Sequence, residues 1–307
     1  MREIATDGFP TDYLLARVRG RRAALASEWQ RLRSRGPLPG ESDEGIWEAL
    51  LKELEWLHAQ MNPGLRVCFE PVFVLFEIKT VILCLRNKEA LRSDEIDRLL
   101  QHSLLADRLQ AALRQETDVR TAVAAISAEF VTMPGGARVL ESVYVDGGLK
   151  GVETCLMHSH LEHAAAERLH PAIHGFFVSL IDLRNVITLY KQLRWGVDDA
   201  GAFIPGGTIE PTRLQQASAN KESAYLDALV RRIAGRAAPP LAASEGALET
   251  VLLASMARQL RTTGGGSDGV GLILDYVWRI YVHARNRALL LHAGSLGASA
   301  LERELIA

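Results

Sequence analysis

Apolar residues in this chain recur at intervals of three and four, most clearly over residues 12–35. Leu15, Val18, Leu25, Trp29 and Leu32 share one helical face there, and Arg22 falls on the same face. The run GPLPG at 36–40 ends that helix, because proline cannot continue the hydrogen-bond ladder. Ser42 or Asp43 is placed to cap a second helix with the stripe Ile46, Leu50, Leu54, Leu57 and Met61. Asn62-Pro63-Gly64 then breaks the chain, and Pro71 is expected near the start of the next helix. Ser93 is positioned to cap a helix carrying Ile96, Leu99 and Leu100, and 104–130 continues in helical style. Residues 133–148 have a strand flavour between turn residues and read as a short hairpin or loop. The helical pattern resumes at 149 and runs to Trp195. A loop over 196–211 follows, then helices at 213–235 and 245–261, and a glycine-rich linker at 262–271 into a last helix. Strand patterns never alternate regularly with helices, so the predicted class is all-α.

Polar side chains interrupt three of the apolar helices in a related way. Glu77, Asp182 and His283 occupy one position, and Thr80, Asn185 and Asn286 occupy another three residues later. The copies stand 105 and 101 residues apart, which predicts an internal repeat. The expected arrangement is a single domain over 1–307 with approximate pseudo-repeats 12–100, 101–200 and 201–307. Buried polar groups need partners, so these residues are expected to form hydrogen-bonded ties where units meet.

The composition, 48% hydrophobic and 23% charged, is that of an ordinary globular protein, and the formal charge of −2 gives no reason to expect a nucleic-acid partner. Cys68, Cys84 and Cys155 are odd in number and widely spaced, which fits a reducing cytosol rather than a disulfide framework. The N-terminal residues lack the apolar core of a signal peptide. The most apolar run, Pro71 to Leu85, carries Glu77 and Lys79 and falls short of the roughly 20 residues needed to span a bilayer. A soluble chain without a transmembrane segment is expected.

Candidate chemistry is sparse. In the segment 158–174, His160, His163, Glu167, His170 and His174 follow offsets of three and four, so one helical face could present a metal site. No second E-x-x-H helix accompanies it, and Pro171 disturbs the helix; the alternative to a metal-binding enzyme is a histidine-rich, partly exposed face. Arg17, Arg19 and the other arginines of the first helix could bind acidic groups on a partner or lipid headgroups, or form a solvated face paired with the acidic segment 41–55. GGGSDG lacks the lysine and Ser/Thr of a phosphate loop and reads as a linker. Pro205, Gly206 and Gly207 read as a rigid turn. No histidine–nucleophile constellation accompanies Glu77 or Asp182, so no catalytic residue and no cofactor are expected.

The ordered motifs resemble the C subunit family of V/A-type rotary ATPases, called subunit d in vacuolar ATPases. DYLLARVRGRRAAL at 12–25 is similar to the family's opening tyrosine-then-ARVR helix. DLRNVITLYKQLRWG at 182–196 resembles its D-x-x-N-[IV] helix, and AFIPGG at 202–207 its FIPGG-like loop. EIKTVI at 77–82 is a weaker first copy. Departures are Thr80 for the usual asparagine, Ile187 where a basic residue is common, His283 for the usual acid, and the triplet 286–288 for an NIR-like one. The resemblance implies an all-α funnel of three pseudo-symmetric units. It implies a rotor adaptor without chemistry of its own, held peripherally on the cytoplasmic face between the central-stalk shaft subunit and the membrane proteolipid ring. Arg17, Arg19, Glu77, Asp182, Asn185, Pro205, Gly206, Gly207 and Asn286 are then structural or interface candidates. A generic helical scaffold outside any membrane complex is the remaining alternative.

Overall fold

The computed structural model describes residues 1–2, 7–35, 40–115, 118–129, 137–196, 203–235, 245–266, 269–292 and 305–306. Among these residues all regular structure is helical. The helices are α1 (Thr11–Arg35), α2 (Asp43–Gln60), α3 (Pro63–Glu89), α4 (Ser93–Gln101), α5 (Asp107–Gln115) and α6 (Val119–Glu129). They continue with α7 (Ala137–Ala166), α8 (Pro171–Trp195), α9 (Pro211–Ala219), α10 (Ser223–Ala234), α11 (Glu245–Gly264) and α12 (Gly269–Leu291). Two compact units emerge. The first comprises Met1–Leu14 and Ser42–Ala164, and the second Leu15–Glu41 and Ala165–Ala307.

The first unit is built on α3. Phe69, Phe73, Ile78 and Val81 are buried along it, and α4, α5 and α6 pack around it. Burial of such side chains contributes about 1.5–3 kcal/mol each, the main favourable term here. Local chemistry sets the entry to α3: the Asn62 side chain accepts from Leu65 N at 2.9 Å and Pro63 takes the first helical turn. Ser42 caps α2 by accepting from Gly45 N at 3.1 Å.

The second unit is built on α8, which packs against α9, α10, α11 and α12. Phe176 stacks edge-on to Phe177 at 5.3 Å and to Trp278 of α12 at 5.8 Å. Among the described residues α8 is also the one helix long and apolar enough to cross a membrane, and 56% of that apolar stretch is buried inside the protein. Its apolarity therefore serves packing within the unit. Gly196, left-handed at φ 65°, closes it.

Several expectations are corrected. Pro71 lies inside α3, two turns past its start, because Asn62 and Pro63 already open that helix. Ser93 is the first residue of α4; its cap position is Arg92, which makes no side-chain capping bond. The helical run expected over 104–130 is divided, with α5 ending at Gln115 and α6 starting at Val119. Residues 137–147 are helical, not a hairpin; 130–136 lie outside the described residues. The sharp corner is at Gly148 (φ 60°, ψ −159°), where the chain turns so tightly that a Cβ on Gly151 would lie 3.0 Å from the Val143 carbonyl oxygen. The helix expected from 149 to 195 is interrupted at 167–170. The one expected over 213–235 is divided at Asn220–Glu222, where Lys221 takes φ 56°. The expected linker 262–271 begins as helix, since α11 runs to Gly264.

Candidate functional site

The polar residues that interrupt the apolar helices are tie points. On α8, Asp182 Oδ1 accepts from Thr208 N at 2.8 Å and Ile209 N at 3.3 Å, while Oδ2 accepts from the Thr208 hydroxyl at 2.5 Å. One turn on, the Asn185 amide donates to the Ile204 carbonyl and accepts from Ile204 N, both at 2.8 Å. Asn185 has no exposed surface and Ile204 is buried beside it. The loop 203–209 is thus held to α8 by five hydrogen bonds from two side chains. Its glycines are needed for that approach. Gly206 is left-handed at φ 91°, and a Cβ there would lie 2.5 Å from the Ala165 Cβ. A Cβ on Gly207 would collide with Asp182 Oδ1. Pro205 is exposed at the turn.

On α3, Glu77 does the corresponding work. Its Oε2 accepts from the Ser103 hydroxyl at 2.8 Å and its Oε1 from Leu104 N at 2.6 Å. Ser103 lies 26 residues after Glu77, as Thr208 lies 26 after Asp182. Leu104 and Ile209 each lie 27 after their acid. Thr80, in the asparagine position, reaches the Glu77 carboxyl and accepts from Trp47 Nε1 at 3.2 Å. Burial raises the Glu77 carboxyl to about 7, against the opposing pull of these hydrogen bonds.

On α12 the asparagine clamp returns. Asn286 donates to the Ile306 carbonyl at 2.7 Å and accepts from Ile306 N at 3.2 Å, 20 residues on, where Asn185 reaches 19. The acid position holds His283, which stacks edge-on to Trp29 of α1 at 6.5 Å. Burial lowers its pKa, Glu28 raises it and Arg31 lowers it. A basic residue separates the two tie positions in every copy: Lys79, Arg184 and Arg285.

The second half of α1 runs along α12. Arg22 meets Asp275 Oδ2 at 2.9 Å, Arg279 meets the same oxygen at 2.9 Å, and Arg287 pairs with Glu41. Asp275 is 1% exposed, so two guanidinium groups neutralise a buried carboxylate. Arg22 sits on the apolar stripe of α1 for this reason. Arg17 is half-buried and Arg19 exposed on that helix.

The histidine-rich segment does not form one face. α7 ends at Ala166 and α8 starts at Pro171, so Glu167 and His170 lie in the connection. His170 is the N-cap of α8, with Nδ1 accepting from Ala172 N at 3.3 Å, and His160 bonds the Pro71 carbonyl at 2.8 Å. Burial lowers His160 to about 4, so at neutral pH the ring is neutral and its Nε2–H donates. Pro171 breaks the spacing that the metal reading of His160, His163, Glu167 and His170 requires. Among the described residues no three His, Cys, Asp or Glu groups converge to hold a metal ion.

Among the described residues these ties define an all-helical protein whose long helices are pinned to segments far along the chain. Residues 16–289 match the model of the ATP synthase (C/AC39) subunit family, and the chain belongs to that family. It is thereby a subunit of the ATP synthase class of complexes. No curated protein matches the chain significantly.

Proposed function

We propose that the chain is a non-catalytic rotor adaptor of a V/A-type proton- or sodium-translocating ATPase or ATP synthase. It sits on the cytoplasmic side of the membrane as a peripheral part and couples the central-stalk shaft to the proteolipid ring. The observation that carries this reading is the family match over residues 16–289. The ties support it physically. An adaptor transmits torque only if its helices do not slide, and side chains that hold buried backbone 19–27 residues away resist sliding. The matching acid spacings on α3 and α8, and the asparagine spacings of 19 and 20 on α8 and α12, support a construction from three related units, approximately 12–100, 101–200 and 201–307. Arg17, Arg19 and the turn at Pro205–Gly207 are the interface candidates in this reading.

The test is a pull-down with the tagged full chain from the native host's membranes, solubilised in mild detergent and read by mass spectrometry. Recovery of a proteolipid ring with a long coiled-coil shaft subunit is expected. Recovery of neither, from membranes whose rotary ATPase is active, would leave a generic helical scaffold as the reading.

A further inference from the structure

The formal charge of −2 conceals a separation. The first compact unit carries 13 basic against 22 acidic residues, a charge of −9, and the second 22 against 15, a charge of +7. Part of the second unit's positive charge is neutralised within it: Asp275 takes Arg22 and Arg279, Arg287 pairs with Glu41, and Lys191 meets Glu245 at 2.7 Å. A set on α10 and α11 is not. Arg231 and Arg232 stand in the last turn of α10, Arg258 and Arg261 lie one turn apart on α11, and all four are exposed. Ser255 Oγ donates to the Ile233 carbonyl at 2.6 Å and Arg258 Nη2 to the Ala234 carbonyl at 3.4 Å, so the end of α10 abuts α11 at these arginines. Arg232 reaches the Thr208 hydroxyl at 3.5 Å. Among the described residues none of the four forms an ion pair, and the side chains of Arg231 and Arg261 make no hydrogen bond. We propose that this face of α10 and α11 binds anionic phospholipid headgroups.

The composition of the face selects the partner. Asp227, one turn before Arg231, is the one acid on either helix within two turns of the four arginines, and α11 carries none beyond Glu249. The face therefore keeps a positive excess, and its complement is negative. A protein partner of ordinary affinity would need an apolar centre to the contact. The exposed large apolar side chains among the described residues lie elsewhere, and none is on α10 or α11. Single-stranded nucleic acid would need aromatic rings for its bases to stack on. Tyr225 is the one aromatic residue of the two helices, and Arg213 covers its ring at 3.9 Å. A sheet of phosphate headgroups needs neither. It attracts clustered basic side chains through its surface potential, and arginine forks match phosphate oxygens in pairs. The choice of a lipid surface rests on the peripheral membrane placement proposed above.

The experiment is flotation of the full chain with vesicles of phosphatidylcholine alone, or with about one third phosphatidylglycerol. Binding to the anionic vesicles only is expected. It should be lost between about 0.1 M and 1 M salt, as the screening length falls from about 10 Å to about 3 Å. Arg231→Gln with Arg261→Gln removes two charges whose side chains hold nothing in the fold, and an unchanged circular dichroism melt checks this. At about fivefold per arginine, the double variant should bind roughly 25-fold more weakly, and replacing the same two by lysine should retain most of the affinity. Arg92→Gln with Arg108→Gln removes the same charge from exposed positions of the first unit and should leave binding within about twofold. Equal binding to both kinds of vesicle overturns the proposal, as does an equal loss in the two double variants. Binding of poly(U) or polyglutamate without binding of vesicles assigns the face to nucleic acid or to an acidic protein, and overturns it too. The pull-down is independent of these results. A chain that binds anionic vesicles but recovers neither ring nor shaft keeps this face and loses the adaptor role, and the reverse outcome loses the face alone.

Discussion

Asp182 and Asn185 on α8 together hold a seven-residue loop by five hydrogen bonds, while on α12 the acid is replaced by His283 and, among the described residues, Asn286 is the side chain that holds Ile306. The asparagine does the same thing in both places, since one carboxamide matches the N–H and C=O of a single residue. What differs is the company it keeps. On α8 the acid anchors a hydroxyl and two amides beyond the clamp, so the loop is fixed at two points and its glycines are pressed against α8. On α12 the histidine turns toward Trp29, and α12 is instead pinned by charge to α1 at Asp275 and to Glu41, beyond the end of α1, at Arg287. A helix can thus be tied by a loop or by a neighbour, and which one is used depends on a single side chain.

The largest effect should come from forcing the α8 loop away. Gly207→Ala places a Cβ on Asp182 Oδ1 and against Ile181, so the carboxylate must shift and its three bonds weaken. A loss of roughly 2–3 kcal/mol in urea unfolding is expected. Gly175→Ala, where an added Cβ meets nothing within 4 Å, is the control and should change stability by less than about 1 kcal/mol.

Asn185→Ala comes next. It leaves the Ile204 N–H and C=O buried without partners, and the expected cost is about 2 kcal/mol. An unchanged melting temperature would mean that the loop is held by Asp182 alone.

A tie of another kind joins α7 to α3 through His160 and the Pro71 carbonyl. It separates titrating from non-titrating ties. The folded-state pKa of about 4 lies below the unfolded value of 6.5, so its contribution is present above pH 6.5 and lost as pH falls toward 4. His58, 4% exposed and edge-on to Phe73 at 5.2 Å, is lowered to about 4 by burial, then by Arg66 and the N-terminus, and acts in the same sense. Glu77 acts in the opposite sense, since its raised pKa removes stability as pH rises through 7. His160→Gln keeps an N–H donor and does not titrate. It should reduce the loss of stability between pH 7 and pH 5 by about 1.5 kcal/mol, measured by denaturant midpoints at the two pH values.

The helical class and the first, second and last helices were legible because a periodic apolar face is a local signal. The positions Glu77, Asp182, Asn185 and Asn286 were legible as buried polar residues out of pattern. Their partners were not. Nothing local in Ser103, Leu104, Thr208 or Ile306 marks them, because a backbone amide or a lone hydroxyl carries no sequence signature and the pairing is 20–27 residues distant. Arg22 did carry a signal, an arginine on an apolar stripe, and a buried acid elsewhere was its natural complement. The interruption at 167–170 was signalled by Pro171, whose preceding residue is driven away from helical backbone. The corner at Gly148 was hidden by β-branched neighbours that read as strand.

The weakest tie is the sharpest test of the comparison. Asn286→Ala removes the same two hydrogen bonds as Asn185→Ala, yet it should cost only about 1 kcal/mol. Ile204 is held on both sides, since Phe203 before it is buried and Thr208 after it is bonded to Asp182, so its orphaned backbone stays in the core. Among the described residues no acid-held hydroxyl stands beside Ile306, and its backbone is expected to move to water once the clamp is gone, which exchanges a protein hydrogen bond for a solvent one. Hydrogen exchange would distinguish the cases: Ile306 N–H should lose protection completely in Asn286→Ala, whereas Ile204 N–H should keep part of its protection in Asn185→Ala. Equal costs and equal loss of protection would mean that Asp182 contributes nothing to holding Ile204, and that the acid and the asparagine on α8 work independently.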